Sequence, residues 1–72
     1  MNKKDQDKLD RCIAGRVLES RLQPYRLPLV PGDAIVIDVE FGDEGDHSWT
    51  RCEAEVQLRH LVMADDYQER LP

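Results

Sequence analysis

The chain has 72 residues, with 15 acidic and 10 basic side chains and a formal net charge of −5. This length predicts one small domain over residues 1–72 and excludes any architecture that needs several cores. Unbroken apolar runs such as Ala34–Ile37 reach only four residues. A membrane-spanning helix needs about 20, so we predict no membrane partner.

The charges are divided unevenly along the chain. Residues 1–27 hold seven Lys or Arg against four acids, and residues 28–72 hold three Arg against eleven acids. The two parts therefore carry +3 and −8, which sum to −5. A basic arm fits phosphate and an acidic body fits a basic protein groove. An ordinary charged surface without a partner is the remaining alternative.

The first element predicted is a short helix from Asp5, after frayed residues 1–4. Apolar side chains at helical spacing support it: Leu9, Cys12, Ile13 and Val17. Gly15 can end a helix as a C′ residue, or lie inside one at a cost of about 1 kcal/mol relative to Ala. We predict that the helix ends near Gly15 and that residues 17–22 are extended.

Residues 23–33 contain three prolines and predict an extended crossing loop. We expect Leu27, Leu29 and Val30 to enter the core from this loop. Pro31-Gly32 is typical of a turn, and Asp33 leads into the next strand.

Two runs of alternating apolar and polar residues predict a β-hairpin. The first covers residues 34–41 and the second residues 49–60, with a polar loop at 42–48 between them. A bulge or a strand end is expected near residues 59–61, a helical turn or tail over 64–72, and fraying over 66–72. The predicted fold class is α+β, with an N-terminal helix packed on a small curved antiparallel sheet.

The residue types that carry catalysis or bind metals lack the spacing of known sites. Cys12, Cys52, His47 and His60 form no paired ligand motif, and no glycine-rich phosphate loop is present. Residues 1–11 are almost wholly polar, so we expect a cytoplasmic protein with two free, buried thiols. We predict no metal, no cofactor and no catalytic residue.

Two aromatic residues lie beside arginines and can stack a nucleic-acid base. Trp49 is two residues from Arg51 on the polar side of its strand, and Tyr25 precedes Arg26. The alternative for Trp49 is that it caps the core at the end of the hairpin.

Two short stretches resemble a known family. Residues 13–21 read Ile-Ala-Gly-Arg-Val-Leu-Glu-Ser-Arg, and residues 30–37 read Val-Pro-Gly-Asp-Ala-Ile-Val-Ile. They are similar to the ASCH domain of the PUA-like superfamily. That family has a helix ending in Ile-x-x-Gly-Lys-x, a Glu-x-Arg strand, and a Val-Gly-Asp turn into its first long barrel strand. The resemblance covers about residues 8–63 and lacks the family's leading and closing strands.

The resemblance implies a partial β-barrel with a ligand groove. Glu19 and Arg21 would line this groove, with Arg16 at its rim, and the ligand would be RNA or a modified nucleoside. Arg16 and Val17 stand where the family's enzymes have a Lys and a Thr implicated in catalysis, which disfavours an enzyme. On a strand Glu19 and Arg21 would share one face, where a structural salt bridge is the alternative.

The first functional hypothesis is therefore a small non-catalytic module that binds RNA or a modified nucleoside. Its candidate ligand-binding residues are Arg16, Glu19, Arg21, Tyr25, Arg26 and Trp49. The second is an accessory protein of a phage or mobile element that binds and inhibits a host protein through its acidic surface or an exposed sheet edge. Such an edge also permits a homodimer.

Overall fold

A computed structural model describes residues 2–41 and 48–72 of the chain. It contains, in order, helix α1 (Lys3–Leu22), strand β1 (Ala34–Phe41), strand β2 (Ser48–Glu55) and helix α2 (Leu58–Glu69). This confirms the predicted α+β class, with an N-terminal helix and an antiparallel sheet. The sheet has two strands, and the described residues form no closed barrel. The predicted loop at 42–48, with His47, lies outside the described residues except for Ser48.

Helix α1 is twice as long as the sequence predicted. It begins after Asn2, whose side chain accepts a hydrogen bond from the backbone N–H of Asp5 at 2.8 Å, so Lys3 and Lys4 are helical rather than frayed. The predictions of a stop near Gly15 and of an extended segment at 17–22 are wrong. The buried stripe continues on both sides of Gly15, through Ile13, Ala14, Val17 and Ser20, and its packing outweighs the glycine penalty.

The segment from α1 to β1 is the predicted crossing loop. Pro24 ends α1 because it favours an extended conformation at Gln23, whose φ and ψ are −102° and 112°. Leu29 packs against the core as expected. Leu27 is 92% exposed and Val30 is also exposed, so the prediction that they enter the core is wrong.

The predicted turn at Pro31-Gly32 is confirmed. The N–H of Asp33 donates to the carbonyl of Val30 at 3.1 Å, and Gly32 has a φ of 98°. Proline followed by a residue of positive φ is the signature of a type II turn, and glycine supplies that φ without a steric cost. Val56 joins this turn to the end of β2, because it bonds to both Gly32 and Asp33 at 2.8 Å.

Strands β1 and β2 pair antiparallel, with Ala34 opposite Glu55 and Phe41 opposite Ser48. One face of β1 carries Ile35, Ile37 and Val39, which are buried. The opposite face is exposed and is called the outer face below. It carries Ala34, Val36, Asp38 and Glu40 of β1 and Trp49, Arg51, Glu53 and Glu55 of β2.

Strand β2 ends at Glu55, whereas the sequence predicted that it continues to His60. Val56 is buried as expected, but Leu58 begins α2 and is 68% exposed, so its predicted place on the dry face of a strand is wrong. Helix α2 begins where the side chain of His60 accepts a hydrogen bond from the backbone N–H of Gln57 at 2.9 Å, which is one half of a capping box. Residues 66–69, predicted to be frayed, form its last turn.

The two helices run in the same direction and contact each other along their lengths. Asp10 of α1 bonds to His60 near the start of α2. Arg21, about three turns further along α1, bonds to Asp65, which is about one turn further along α2. The core lies between these helices and β1; its buried apolar members are Ile13, Val17, Ile35, Ile37, Val39, Val56 and Ala64. Both cysteines are free as predicted, but they are half-buried rather than buried.

Candidate functional site

One edge of β1 is left without a strand partner in the described part of the chain. The sheet order is β1–β2, so β1 pairs with β2 along one edge only. The edge that faces away from β2 is called the open edge below. An extended segment can add to such an edge because the backbone groups along it are arranged as in a paired strand.

The hydrogen-bond pattern shows which residues direct backbone groups to the open edge. The N–H of Val56 donates to the carbonyl of Asp33 at 2.8 Å, one step beyond the pair Ala34–Glu55. Hydrogen-bonded and non-hydrogen-bonded pairs alternate in an antiparallel ladder. The backbone N–H and C=O groups of the odd-numbered residues of β1 therefore point to β2. The N–H and C=O groups of Ala34, Val36 and Asp38 point to the open edge.

A groove follows the open edge between β1 and α1, and we call it the edge groove. Its wider part has a volume of about 390 Å³, and its lining includes Gly15 and Arg16 of α1 and Ile37 and Asp38 of β1. Ile37 and Asp38 direct their side chains to opposite faces of the strand, so a space that touches both lies at the strand edge. No residue of β2 lines it, which identifies the edge as the open one.

The narrower part of the groove lies beside Ile35 and has a volume of about 100 Å³. Arg16 and Glu19 line both parts, so the two spaces are adjacent. Leu27, Leu29 and Arg26 of the crossing loop form the opposite wall. The hydroxyl of Ser20 holds this wall, because it accepts a hydrogen bond from the N–H of Leu29 at 3.0 Å and donates to the carbonyl of Val17 at 2.7 Å.

Gly15 forms a bare section of the groove wall. It lies inside α1 and is exposed, and a Cβ atom placed on it would meet nothing within 4 Å. The packing of the chain therefore does not require a glycine here. Absence of a side chain leaves the helix backbone accessible and opens the widest part of the groove above Ile37.

The outer face beside the open edge is acidic. Asp38, Glu40, Glu53 and Glu55 supply four carboxylates and Arg51 one guanidinium, so these residues sum to −3. Arg51 donates to Asp38 at 3.2 Å in an exposed pair. Trp49 is 67% exposed on the same face, so it does not cap the core.

Three of the six site residues predicted from the sequence meet in the edge groove. Arg16, Glu19 and Arg26 line its narrower part, and Arg16 and Glu19 are within 3.9 Å of each other. Arg21 does not join them. It lies on another side of α1, where it donates to Asp65 at 2.6 Å and to Gln68 at 3.4 Å.

The expected pairing of Glu19 with Arg21 on one face depended on a strand. Residues 17–22 are helical, and residues two apart on a helix point in different directions. The two predicted aromatic residues lie outside the edge groove. Tyr25 is 81% exposed in the crossing loop, and Trp49 lies on the outer face.

Asp10 and His60 have the composition of a catalytic dyad but form part of the helix–helix interface. His60 is 0% exposed, and because its Nδ1 accepts from Gln57, its Nε2 carries the proton that it donates to Asp10 at 2.8 Å. Burial would raise the pKa of Asp10. Hydrogen bonds from His60, Arg59 and Gln6, together with the charge of Arg59, outweigh it and hold that pKa below its usual range.

Four residues of the wider part of the groove were not predicted from the sequence: Cys12, Gly15, Ile37 and Asp38. The sequence contained a signal for Gly15 alone, because this glycine lies between apolar residues at helical spacing. The structure shows no packing reason for a glycine there. The others resemble core or surface residues of a strand and a helix. Only the crossing of α1 over the edge of β1 brings them together.

Among residues 2–41 and 48–72, no three His, Cys, Asp or Glu side chains converge as a metal ion requires. None of the described helices is long and apolar enough to cross a membrane. Comparison of the chain with protein-family models, curated proteins and solved structures finds no match. The similarity to the ASCH family stays a prediction.

Proposed function

We propose that this protein is a non-catalytic binding module that receives an extended segment of a partner protein in the edge groove. The segment would add to β1 as a further strand and lie between the open edge and α1. The observation that carries the proposal is that the groove is lined by Asp38, whose backbone groups point to the open edge, and by residues of α1 on its other side. Strand addition supplies affinity through main-chain hydrogen bonds and specificity through alternate side chains.

A protein segment fits this site better than nucleic acid, which was the first hypothesis from the sequence. Two of the three arginines among the candidate ligand-binding residues have carboxylate partners, Arg16 with Glu19 and Arg21 with Asp65. The outer face beside the groove repels phosphate because it sums to −3. Arg26, next to the exposed Tyr25, remains for a nucleic acid to contact, so RNA is the competing partner in the test.

The test selects peptides from a displayed library on the full chain. Peptides of about ten residues span a strand of this length. We expect enriched peptides to bind the wild-type protein and to bind Gly15→Leu at least about tenfold more weakly, because the leucine side chain fills the groove. Val62→Leu is the matched control. It enlarges an exposed position of the other helix and should bind as the wild type does.

The Tm of Gly15→Leu should match or exceed that of the wild type, because a Cβ atom at this position meets nothing within 4 Å and leucine has a higher helix propensity than glycine. Loss of binding then reports the groove and not misfolding. The proposal is overturned if no peptide is enriched or if Gly15→Leu binds equally well. Salt-dependent binding of an RNA homopolymer that Arg26→Ala weakens would assign the site to nucleic acid instead.

A further inference from the structure

We infer that the segment bound in the edge groove alternates basic and apolar residues. Its basic side chains lie over the outer face and its apolar side chains lie against α1. This inference rests on the proposed function, because it specifies the chemistry of the segment that the groove receives.

The pleat of β1 fixes the two environments. A strand added to the open edge continues the pleat, so side chains opposite each other on neighbouring strands share a face. Partner residues opposite Val36 and Asp38 therefore lie on the outer face. Those opposite Ile35 and Ile37 lie on the side of α1. Each environment meets every second residue of the segment.

The outer face selects for positive charge. Its described residues sum to −3, and the only cation among them, Arg51, is paired with Asp38. A Lys or Arg opposite Asp38 lies beside the carboxylate of Asp38. One opposite Val36 covers Val36 with its stem and extends along the row that continues to Glu53 of β2. The exposed ring of Trp49 offers a cation a further favourable contact. An acidic residue at the same place would face like charges.

The α1 side selects for apolar residues of two sizes. Opposite Ile37 the wider part of the groove has a volume of about 390 Å³. Its charged lining residues are Arg16, Glu19 and Asp38, and its uncharged ones are Cys12, Gly15 and Ile37, against which a Leu, Ile or Met side chain can pack. The space beside Ile35 is smaller, about 100 Å³, which favours a smaller apolar residue there. The segment thus carries a large and a small apolar residue two positions apart, with a basic residue between them.

A second copy of this chain is a poor occupant on the same grounds. Pairing two β1 edges would place one acidic outer face beside the other, with −3 on each. Strand β1 also carries carboxylates, not cations, at its outward positions. The charge pattern therefore indicates a different protein as the partner.

The test uses three synthetic peptides that share their apolar residues and carry Lys, Ser or Glu at the alternate positions. Fluorescence anisotropy of each labelled peptide with the full chain gives its affinity. We expect the order Lys, Ser, Glu, with about a threefold to tenfold step between Lys and Ser, which is typical of one or two exposed ion pairs. The steps should shrink at high salt, since exposed charges are screened.

A charge reversal at Asp38 gives the decisive comparison. Asp38→Lys should weaken the Lys peptide and strengthen the Glu peptide. Glu69→Lys is the matched control because it makes the same change of charge on the exposed surface of α2 and should leave the order unchanged. Thermal unfolding of both variants establishes that they are folded.

The outcomes separate the two proposals. Equal affinities, or a preference for the Glu peptide, would overturn this inference and leave strand addition in place. If none of the three peptides binds, the proposed function falls and this inference falls with it. A dimer in sedimentation experiments that Gly15→Leu dissociates would make the occupant a second copy, which also overturns the basic–apolar pattern.

Discussion

Gly15→Ala should raise the stability of the folded chain, although it replaces a glycine inside the candidate site. Gly15 is the thirteenth residue of the 20-residue helix α1, far from both ends. Its φ is not positive, and a Cβ atom there meets nothing within 4 Å. The substitution therefore introduces neither backbone strain nor a steric clash.

The expected gain is the difference in helix propensity. Alanine in a helix interior is favoured over glycine by about 0.8–1.0 kcal/mol. Because Gly15 is exposed, burial of the added methyl group contributes little. For a domain of this size, 1 kcal/mol shifts the Tm by about 4–8 °C, so we expect the Tm to rise by about 5 °C.

Thermal unfolding followed by far-UV circular dichroism measures this change, with Gly32→Ala as the opposite control. Gly32 has a φ of 98°, where a side chain costs at least about 1 kcal/mol, so its Tm should fall. The helix ending at Gly15 that the sequence favoured predicts a loss of stability for both variants. A lower Tm for Gly15→Ala would therefore refute a continuous α1.

Three further predictions concern the contacts between the helices. Asp10→Ala should lower the free energy of unfolding by about 2 kcal/mol in urea titrations, because it leaves the buried donor of His60 without an acceptor; a change near zero would contradict this. The lowered pKa of Asp10 means that its contribution is complete above its unfolded value of about 3.9 and disappears as the pH falls through the lower folded value. The urea midpoint should therefore decline in that acidic range, and Asp10→Asn should flatten the decline. A double-mutant cycle on Arg21 and Asp65 should give a coupling of about 0.5–1 kcal/mol, since Asp65 is mostly exposed; a much larger value would mean that the pair is more deeply buried than its geometry indicates.

The sequence was sufficient for the elements whose periodicity has one interpretation. Strand β1 was predicted with its observed bounds, because four large apolar residues share one parity, Asp38 and Glu40 lie on the other, and a proline–glycine turn precedes them. The start of α1 was nearly correct for a similar reason. In both cases local pattern and tertiary packing favour the same structure.

The errors lie where two local signals compete and distant contacts decide. Gly15 is a helix terminator locally, but Val17 and Ser20 are buried in the assembled core and keep the helix intact. Residues 56–60 continue the alternation of β2, but His60 bonds to Asp10, fifty residues earlier in the chain. No local pattern reveals that partner.

Only part of the lining of the edge groove was predicted from the sequence, because the prediction assumed a strand at residues 17–22, where the structure has a helix. Arg16 and Glu19 were chosen from a motif and Arg26 because it follows Tyr25. All three line one groove, although the predicted strand through residues 17–22 is a helix. Arg21 was assigned to the same groove because a strand would place it beside Glu19. The change from strand to helix moves it to α2.

The pairing of the first helix with the last has a consequence for how the chain acquires its structure during synthesis. The contacts that join α1 to α2 link residues 44 to 50 positions apart, so α1 emerges from the ribosome long before its partner exists. A two-stranded hairpin is marginal by itself in water, so β1 and β2 offer the nascent helix little support in the meantime. Acquisition of the native state should therefore be a late, all-or-none event that awaits the C-terminal helix, and a premature stop codon before residue 58 should leave a polypeptide that cellular proteases degrade.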